Sequence, residues 1–151
     1  MESSPLFEQS LGFRMGNLYR RMSHQVALRL KPHGITPEQW SILFQIHQGE
    51  GVNQKQIAQR AAKDQPTTAR LVDMLSAKNL VRRVPSPDDR RAYLLYLTDA
   101  GKQLIEETMP TELEANADFV RHIPEQDIRQ FWQTLIRIEA NLTNMEQQGE
   151  K

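Results

Sequence analysis

Side chains that can bind nucleic-acid bases are concentrated at the start of one predicted helix. Glutamine can pair with adenine through two hydrogen bonds and arginine with guanine, while threonine can meet a thymine methyl or a phosphate. When such a helix enters the major groove, its N-terminal residues reach the base edges. Two lysines precede the helix, so the candidate set is Lys55, Lys63, Gln65, Pro66, Thr67, Thr68 and Arg70.

A second group of charged residues lies in a turn between two predicted strands. The strands are Val81–Val84 and Ala92–Leu97, and the polar segment between them is rich in proline and charge. This pattern predicts a β-hairpin with a positively charged tip, which would lie along the DNA backbone or in the minor groove, where the concentrated negative potential favours arginine. The candidate residues at the tip are Asp89, Arg90 and Arg91.

Three helices must position these side chains. Thr36 and Gln39 predict a capping box at the first helix, and Asn53 with Gln56 predicts the start of a short helix ending at Arg60. Asp64 begins the third helix. A helix, a short helix, a turn, a helix and a charged hairpin form the order of a winged helix-turn-helix. This module spans roughly Gln54 to Gly101, within a lobe of residues 36–101.

Charge is distributed unevenly, although the formal net charge of the 151 residues is zero. Between Val52 and Leu97 there are nine basic and four acidic residues, so the middle of the chain is basic and the rest is acidic. This suits a nucleic-acid-binding segment, but a basic solvated face without a partner is an equally good interpretation of charge alone.

Composition excludes several classes of protein. No apolar run approaches the ~20 residues of a membrane span, and the polar N-terminus does not resemble a secretory signal. The chain has no cysteine, which excludes disulfides and thiol redox sensing, and its four histidines form no close ligand motif. We therefore expect a cytoplasmic protein without a membrane partner, metal or cofactor.

The two ends of the chain carry apolar residues at helical spacing. The first segment runs from Pro5 to Leu30, with Phe7 as its first apolar position, and the last runs from Pro124 to Met145. Pro110 lies in a helical stretch between them and would kink or end it. The apolar stripes have no evident partner elsewhere in the chain. They favour dimerisation, and an intramolecular bundle is the alternative.

Several motifs resemble the MarR family of bacterial transcriptional regulators. They are Leu71-Val72-Asp73 at the end of the recognition helix, Asp89 and Arg91 in the wing, and the run from Leu97 to Gly101. The resemblance implies a mainly α (α+β) fold and a single domain over residues 1–151, with dimerisation helices at 5–31 and 102–146. It also implies a homodimer in which Arg91 enters the minor groove and Asp89 holds it by a charge-assisted hydrogen bond. Asn79 departs from a common glycine, but asparagine tolerates the left-handed conformation.

Relatives in that family usually respond to a small aromatic or anionic effector. Residues that could line its cleft are Met15, Tyr19, His24, Trp40, Phe44 and Met74, and core packing is the alternative for Trp40 and Phe44. The sequence contains neither a phosphate-binding loop nor a nucleophile elbow, so neither of these motifs indicates an enzyme. We expect a ligand-responsive repressor that binds double-stranded DNA at a palindromic operator. A helical protein-interaction module without DNA binding is the alternative.

Overall fold

The computed structural model of the chain describes residues 9–149. The predicted first helix began at Pro5, and that start, together with Phe7, lies outside the described residues. The helices are α1 (Leu11–Leu30), α2 (Pro37–Gln48), α3 (Gln54–Arg60), α4 (Gln65–Ala77), α5 (Asp99–Phe119) and α6 (Glu125–Gly149), with a short 3-10 turn at Lys31–His33. The strands are β1 (Val52–Asn53), β2 (Val81–Pro85) and β3 (Tyr93–Leu97).

The predicted helix starts are confirmed atom by atom. Thr36 Oγ1 accepts from the Gln39 N–H at 3.2 Å while the Gln39 side chain accepts from the Thr36 N–H at 3.3 Å, which is a reciprocal capping box. Asn53 and Gln56 form the same arrangement at α3, at 2.9 and 3.0 Å. These caps fix where the first two helices of the lobe begin.

The end of α4 explains why asparagine can stand at position 79. Asn79 adopts a left-handed φ of 57°. The Asn79 N–H donates to the Ser76 carbonyl at 2.9 Å and the Leu80 N–H to the Leu75 carbonyl at 3.0 Å. These two bonds form a Schellman motif, which satisfies carbonyls that the helix end would leave unpaired. The chain therefore turns sharply from α4 into β2, as predicted.

The three strands form an antiparallel sheet in the order β1-β3-β2. β2 and β3 are the predicted hairpin, in which Val81 faces Leu97 and Pro85 faces Tyr93. β1 was not predicted, because two residues are too few to show an alternating pattern. Two residues before β1 begins, the Glu50 carboxylate accepts from the Leu97 N–H at 3.1 Å, so a side chain supplies the hydrogen bond to β3 at this position.

The core of the lobe lies between α2, α4 and the inner face of β3. Its fully buried side chains come from nearly every element before residue 106: Leu30, Ile42, Leu43, Ile46, Ile57, Val72, Leu75, Leu95 and Ile105. Gly101 lets α5 approach the end of α4 very closely, because a Cβ at this position would lie 2.1 Å from the Leu80 carbonyl oxygen. The wing and α5 are thereby fixed to the same core.

The chain divides into two compact units, with the boundary after Ala115. The boundary falls within α5, which continues through Pro110 to Phe119. Of the two predicted effects of Pro110, a kink or an end of the helix, the end is therefore excluded. The second unit contains α6, none of whose residues is buried. Its exposed apolar side chains lie at helical spacing and include Phe131, Trp132, Ile136, Leu142 and Met145.

Candidate nucleic-acid interface

The N-terminal end of α4 is an exposed, ordered platform. Gln65, Pro66 and Arg70 are exposed there and Thr67 is half-buried. Asp64 caps the helix: its carboxylate accepts from the Thr67 N–H at 2.7 Å and from the Thr67 hydroxyl at 2.9 Å. Hydrogen bonds from the Thr67 backbone and then from its side chain lower the pKa of Asp64 below its usual value. The carboxylate is therefore ionised at neutral pH.

Thr68 does not belong to this exposed platform. Its side chain is completely buried, and its hydroxyl donates to the Asp64 carbonyl at 2.9 Å. The expectation that Thr68 contacts DNA is corrected here, because neither the hydroxyl nor the methyl group reaches the surface. Thr68 instead ties the first turn of α4 to the core.

The two candidate lysines lie on either side of the turn that joins α3 to α4. Lys55 is exposed on the first turn of α3, and Lys63 is half-buried in the turn itself. Ala62 has a left-handed φ of 51°, and the Lys63 N–H donates to the Ala58 carbonyl at 3.0 Å. This compact turn fixes the angle between the two helices of the helix-turn-helix.

The wing presents its charged residues at the tip of the β2–β3 hairpin. Asp89, Arg90 and Arg91 are all exposed. Asp89 Oδ1 accepts from the backbone N–H of Arg91 at 2.9 Å. The expected charge-assisted hydrogen bond between these residues is thus present, but it holds the backbone of Arg91 and not its guanidinium.

Two arginines that sequence reasoning did not assign to the site help to build it. Arg82 lies over the ring of Tyr96 at 4.6 Å from the ring centroid, a cation–π contact between facing residues of β2 and β3. Arg83 forms an ion pair with Asp73 of α4. The first contact could have been anticipated from the hairpin register, but the second depends on how the helix packs on the sheet.

The six proposed effector residues have different environments. Trp40 is buried: its indole N–H donates to Thr108 Oγ1 at 2.8 Å, and its ring stacks on Phe44 with centroids 5.1 Å apart. Such contacts are typical of core packing, which was the alternative interpretation of Trp40 and Phe44. Met74 is exposed on α4, where its sulfur lies 4.0 Å from the Gln39 amide nitrogen. The remaining three, Met15, Tyr19 and His24, are all exposed on α1.

A cavity of about 310 Å³ opens on the first unit, and its lining contains none of the six. The residues around it are His33, Gly34, Lys78, Leu80, Ala100, Gln103, Leu104 and Glu107. The Lys78 ammonium already has two partners within the protein: it donates to the Gly34 carbonyl at 2.6 Å and to the Gln39 amide oxygen at 3.1 Å. This cavity is therefore distinct from the predicted cleft.

Residues 9–149 offer no cluster of three or more metal-binding side chains. Within the same range, no helix combines the length and apolar character needed to cross a membrane.

Comparison with known proteins shows what this fold is similar to. Residues 33–92 match the model of the MarR family. A transcriptional regulator (MarR family) from Rhodococcus sp. RHA1 is 28% identical, with a TM-score of 0.75 over 86% of this chain and 95% of that one. S. aureus MepR, solved with DNA, is 24% identical, with a TM-score of 0.81 over 87% and 98% of the two chains. The repressor CouR, bound to a 23-mer DNA duplex, is also 24% identical, with a TM-score of 0.78 over 93% and 99%.

Proposed function

We propose that the chain, whose residues 33–92 match the model of the MarR family, is a transcriptional regulator of this type, that it binds a palindromic operator as a homodimer and that it acts as a ligand-responsive repressor. In this proposal the N-terminal end of α4 reads the major groove and the wing tip enters the minor groove.

The observation that carries the proposal is the presence of two exposed elements with basic side chains within one compact unit. The exposed start of α4 carries Gln65 and Arg70, and the wing tip carries Arg90 and Arg91. The Asp73–Arg83 ion pair connects the helix to the hairpin. A helix and a hairpin held in this way can contact adjacent grooves of one duplex. MepR and CouR, which share this fold, were solved bound to DNA.

Uncovered apolar side chains support the homodimer. Trp132 and Met145 of α6 are 60% and 66% exposed, in a helix with no buried residue. On α1, Leu11 and Leu18 are 55% and 52% exposed. Burying a large apolar side chain contributes about 1.5–3 kcal/mol, so two such stripes provide a strong driving force for association with a second copy.

Selection from a random duplex library, followed by a mobility-shift assay, tests DNA binding. We expect a palindrome whose half-sites are about one helical turn apart, and an affinity that falls steeply as salt rises, because bound arginines and lysines release counterions. If no duplex is enriched and none is bound at low salt, the protein-interaction module becomes the better proposal.

The dimer is tested separately by Trp132→Glu in the full chain. Because Trp132 is exposed in the single chain, the substitution leaves the fold of each subunit intact, and light scattering should report a monomer. Gln133→Glu, which adds the same charge at the next exposed position of α6, should remain dimeric. A dimeric Trp132→Glu variant would contradict the assignment of α6 to the interface.

The ligand-responsive part of the proposal is supported by the exposure of Met15, Tyr19 and His24 on α1. Salicylate, a small aromatic anion, is a suitable probe. We expect salicylate to release the selected operator from the wild-type protein in the shift assay, and a reporter behind that operator to be more active without the protein than with it. Activation of the reporter by the protein would contradict the repressor role.

A further inference from the structure

The Asp64–Thr67 pair gives the start of α4 a fixed hydrogen-bonding polarity. Thr67 Oγ1 lies 2.9 Å from Asp64 Oδ2, and Asp64 Oδ1 accepts from the Thr67 N–H at 2.7 Å. A carboxylate can only accept, so the Thr67 hydroxyl must donate its single proton to Asp64. The hydroxyl then has only lone pairs left for any other partner.

This polarity restricts what Thr67 can recognise on DNA. Phosphate oxygens carry no proton, so a hydroxyl that can only accept gains no hydrogen bond from the backbone. In the major groove the donors are the exocyclic amino groups, N6 of adenine and N4 of cytosine, whereas guanine O6 and thymine O4 are acceptors. An acceptor-only threonine therefore discriminates between these two classes of base.

We propose that Thr67 is a specificity-determining residue that accepts a hydrogen bond from a base amino group, and that Asp64 is the positioning residue that sets this polarity. The inference rests on the proposed function, since it assumes that α4 lies in the major groove. The lowered pKa of Asp64 supports it, because the carboxylate stays ionised at neutral pH.

The Asp64→Asn variant distinguishes a role of Asp64 in base recognition from a purely structural role as a helix cap, because only the first role predicts a change in base preference. Asparagine caps helices about as well as aspartate, and its oxygen must face the Thr67 N–H, because that group is a donor. Its NH2 group then takes the place of Oδ2 and donates to Thr67 Oγ1. The hydroxyl proton is released to point outward, so the variant should prefer a keto group, on guanine or thymine, at the base that Thr67 contacts.

The experiment compares base preferences from duplex selection for the wild type, Asp64→Asn, Thr67→Val and the double variant. At one position of each half-site we expect the wild type to prefer an amino base by about three- to tenfold, the range of a single net hydrogen bond. Asp64→Asn should reverse the preference, and Thr67→Val should abolish it in both backgrounds. Loss of the Asp64 charge will also raise affinity for all sequences, which leaves the preference unaffected.

Modified bases in the selected site distinguish adenine from cytosine. Deoxynebularine lacks the N6 amino group of adenine and deoxyzebularine lacks the N4 amino group of cytosine. One of them should weaken the wild type but not Thr67→Val, which controls for changes in base pairing. Thermal melting by circular dichroism checks that every variant is folded.

Two outcomes separate this inference from the proposed function. If the wild type selects a palindrome but the preference at every position survives both substitutions, the role of Thr67 and Asp64 is wrong and the proposed function stands. If the wild type selects no duplex at all, the proposed function fails and this inference fails with it.

Discussion

Arg83, on β2 of the wing, forms an ion pair with Asp73, on the side of α4. It connects the two elements that we propose to contact DNA. The Arg83 and Asp73 side chains are 30% and 66% exposed, and an ion pair that water reaches so easily adds at most about 1 kcal/mol to stability. Its main effect should therefore be on the orientation of the wing.

A double-mutant cycle with Asp73→Asn and Arg83→Gln measures this effect. Urea unfolding should give a coupling free energy below about 1 kcal/mol, while operator affinity should fall in either single variant because the wing is less firmly held. Glu125→Gln with Arg129→Gln, an exposed pair in α6, is the control and should leave affinity unchanged. If both single variants and the double variant bind the operator with the affinity of the wild type, the ion pair does not orient the wing.

Arg91→Ala should weaken binding to the selected operator by about ten- to a hundredfold, the range for loss of one specific arginine contact. The dimer should persist, because Arg91 is an exposed residue of the wing tip. A mobility-shift assay gives the affinity and light scattering gives the mass. Arg14→Ala removes the same charge from an exposed position on α1 and should have little effect. Equal affinities for the two variants would contradict the assignment of the wing tip to the minor groove.

Thr108→Val should lower the free energy of unfolding by about 1–3 kcal/mol, because it leaves the buried N–H of Trp40 without its acceptor. Thr134→Val is a matched control: Thr134 also donates to the carbonyl four residues earlier, at 2.9 Å, but is exposed. Urea denaturation of both variants measures the difference. Equal stability in the two would mean that the Trp40 indole finds another partner, as expected of a residue that lines a solvent-filled cleft.

Gly101→Ala should destabilise the chain by about 1–3 kcal/mol, the usual range for overpacking. The new methyl group would lie 2.1 Å from the Leu80 carbonyl oxygen, which is backbone and cannot rotate away. Gly12→Ala, at a helical position where a new Cβ would meet no atom within 4 Å outside the adjacent backbone of its own helix, should instead stabilise by up to about 1 kcal/mol. Thermal melts should therefore move in opposite directions, and a rise in melting temperature for Gly101→Ala would contradict the close approach of α5.

Local chemistry made much of this structure predictable. The capping boxes at Thr36 and Asn53, the Asp64 cap and the left-handed turn at Asn79 each depend on residues within four positions of one another, so the sequence contains all the information they require. The hairpin followed from two apolar runs around a proline-rich turn. Short-range patterns also predicted that Gln65 and Arg70 lie in the first turns of a helix and that Arg90 and Arg91 lie at the tip of a hairpin.

What sequence reasoning missed depends on packing between distant segments. Thr68 looked like its neighbour Thr67, but helical rotation turns it into the core, where its hydroxyl meets the Asp64 carbonyl. β1 is too short to show a period, and it exists only because β3 offers it a partner. Trp40 was predicted to line a cleft from its residue type alone, whereas its hydrogen bond to Thr108 joins residues that are 68 positions apart in the chain.

Within residues 9–149, the strand order β1-β3-β2 leaves one long side of β2 without a strand beside it. An open strand edge invites pairing with another copy and so promotes aggregation. β2 carries Arg82 and Arg83 in its middle and ends at Pro85, which has no N–H to donate. Charge repulsion and the missing donor both oppose such pairing. Arg82 and Arg83 thus also oppose aggregation, because the open edge of β2 resists joining with the edge of another copy into a growing sheet.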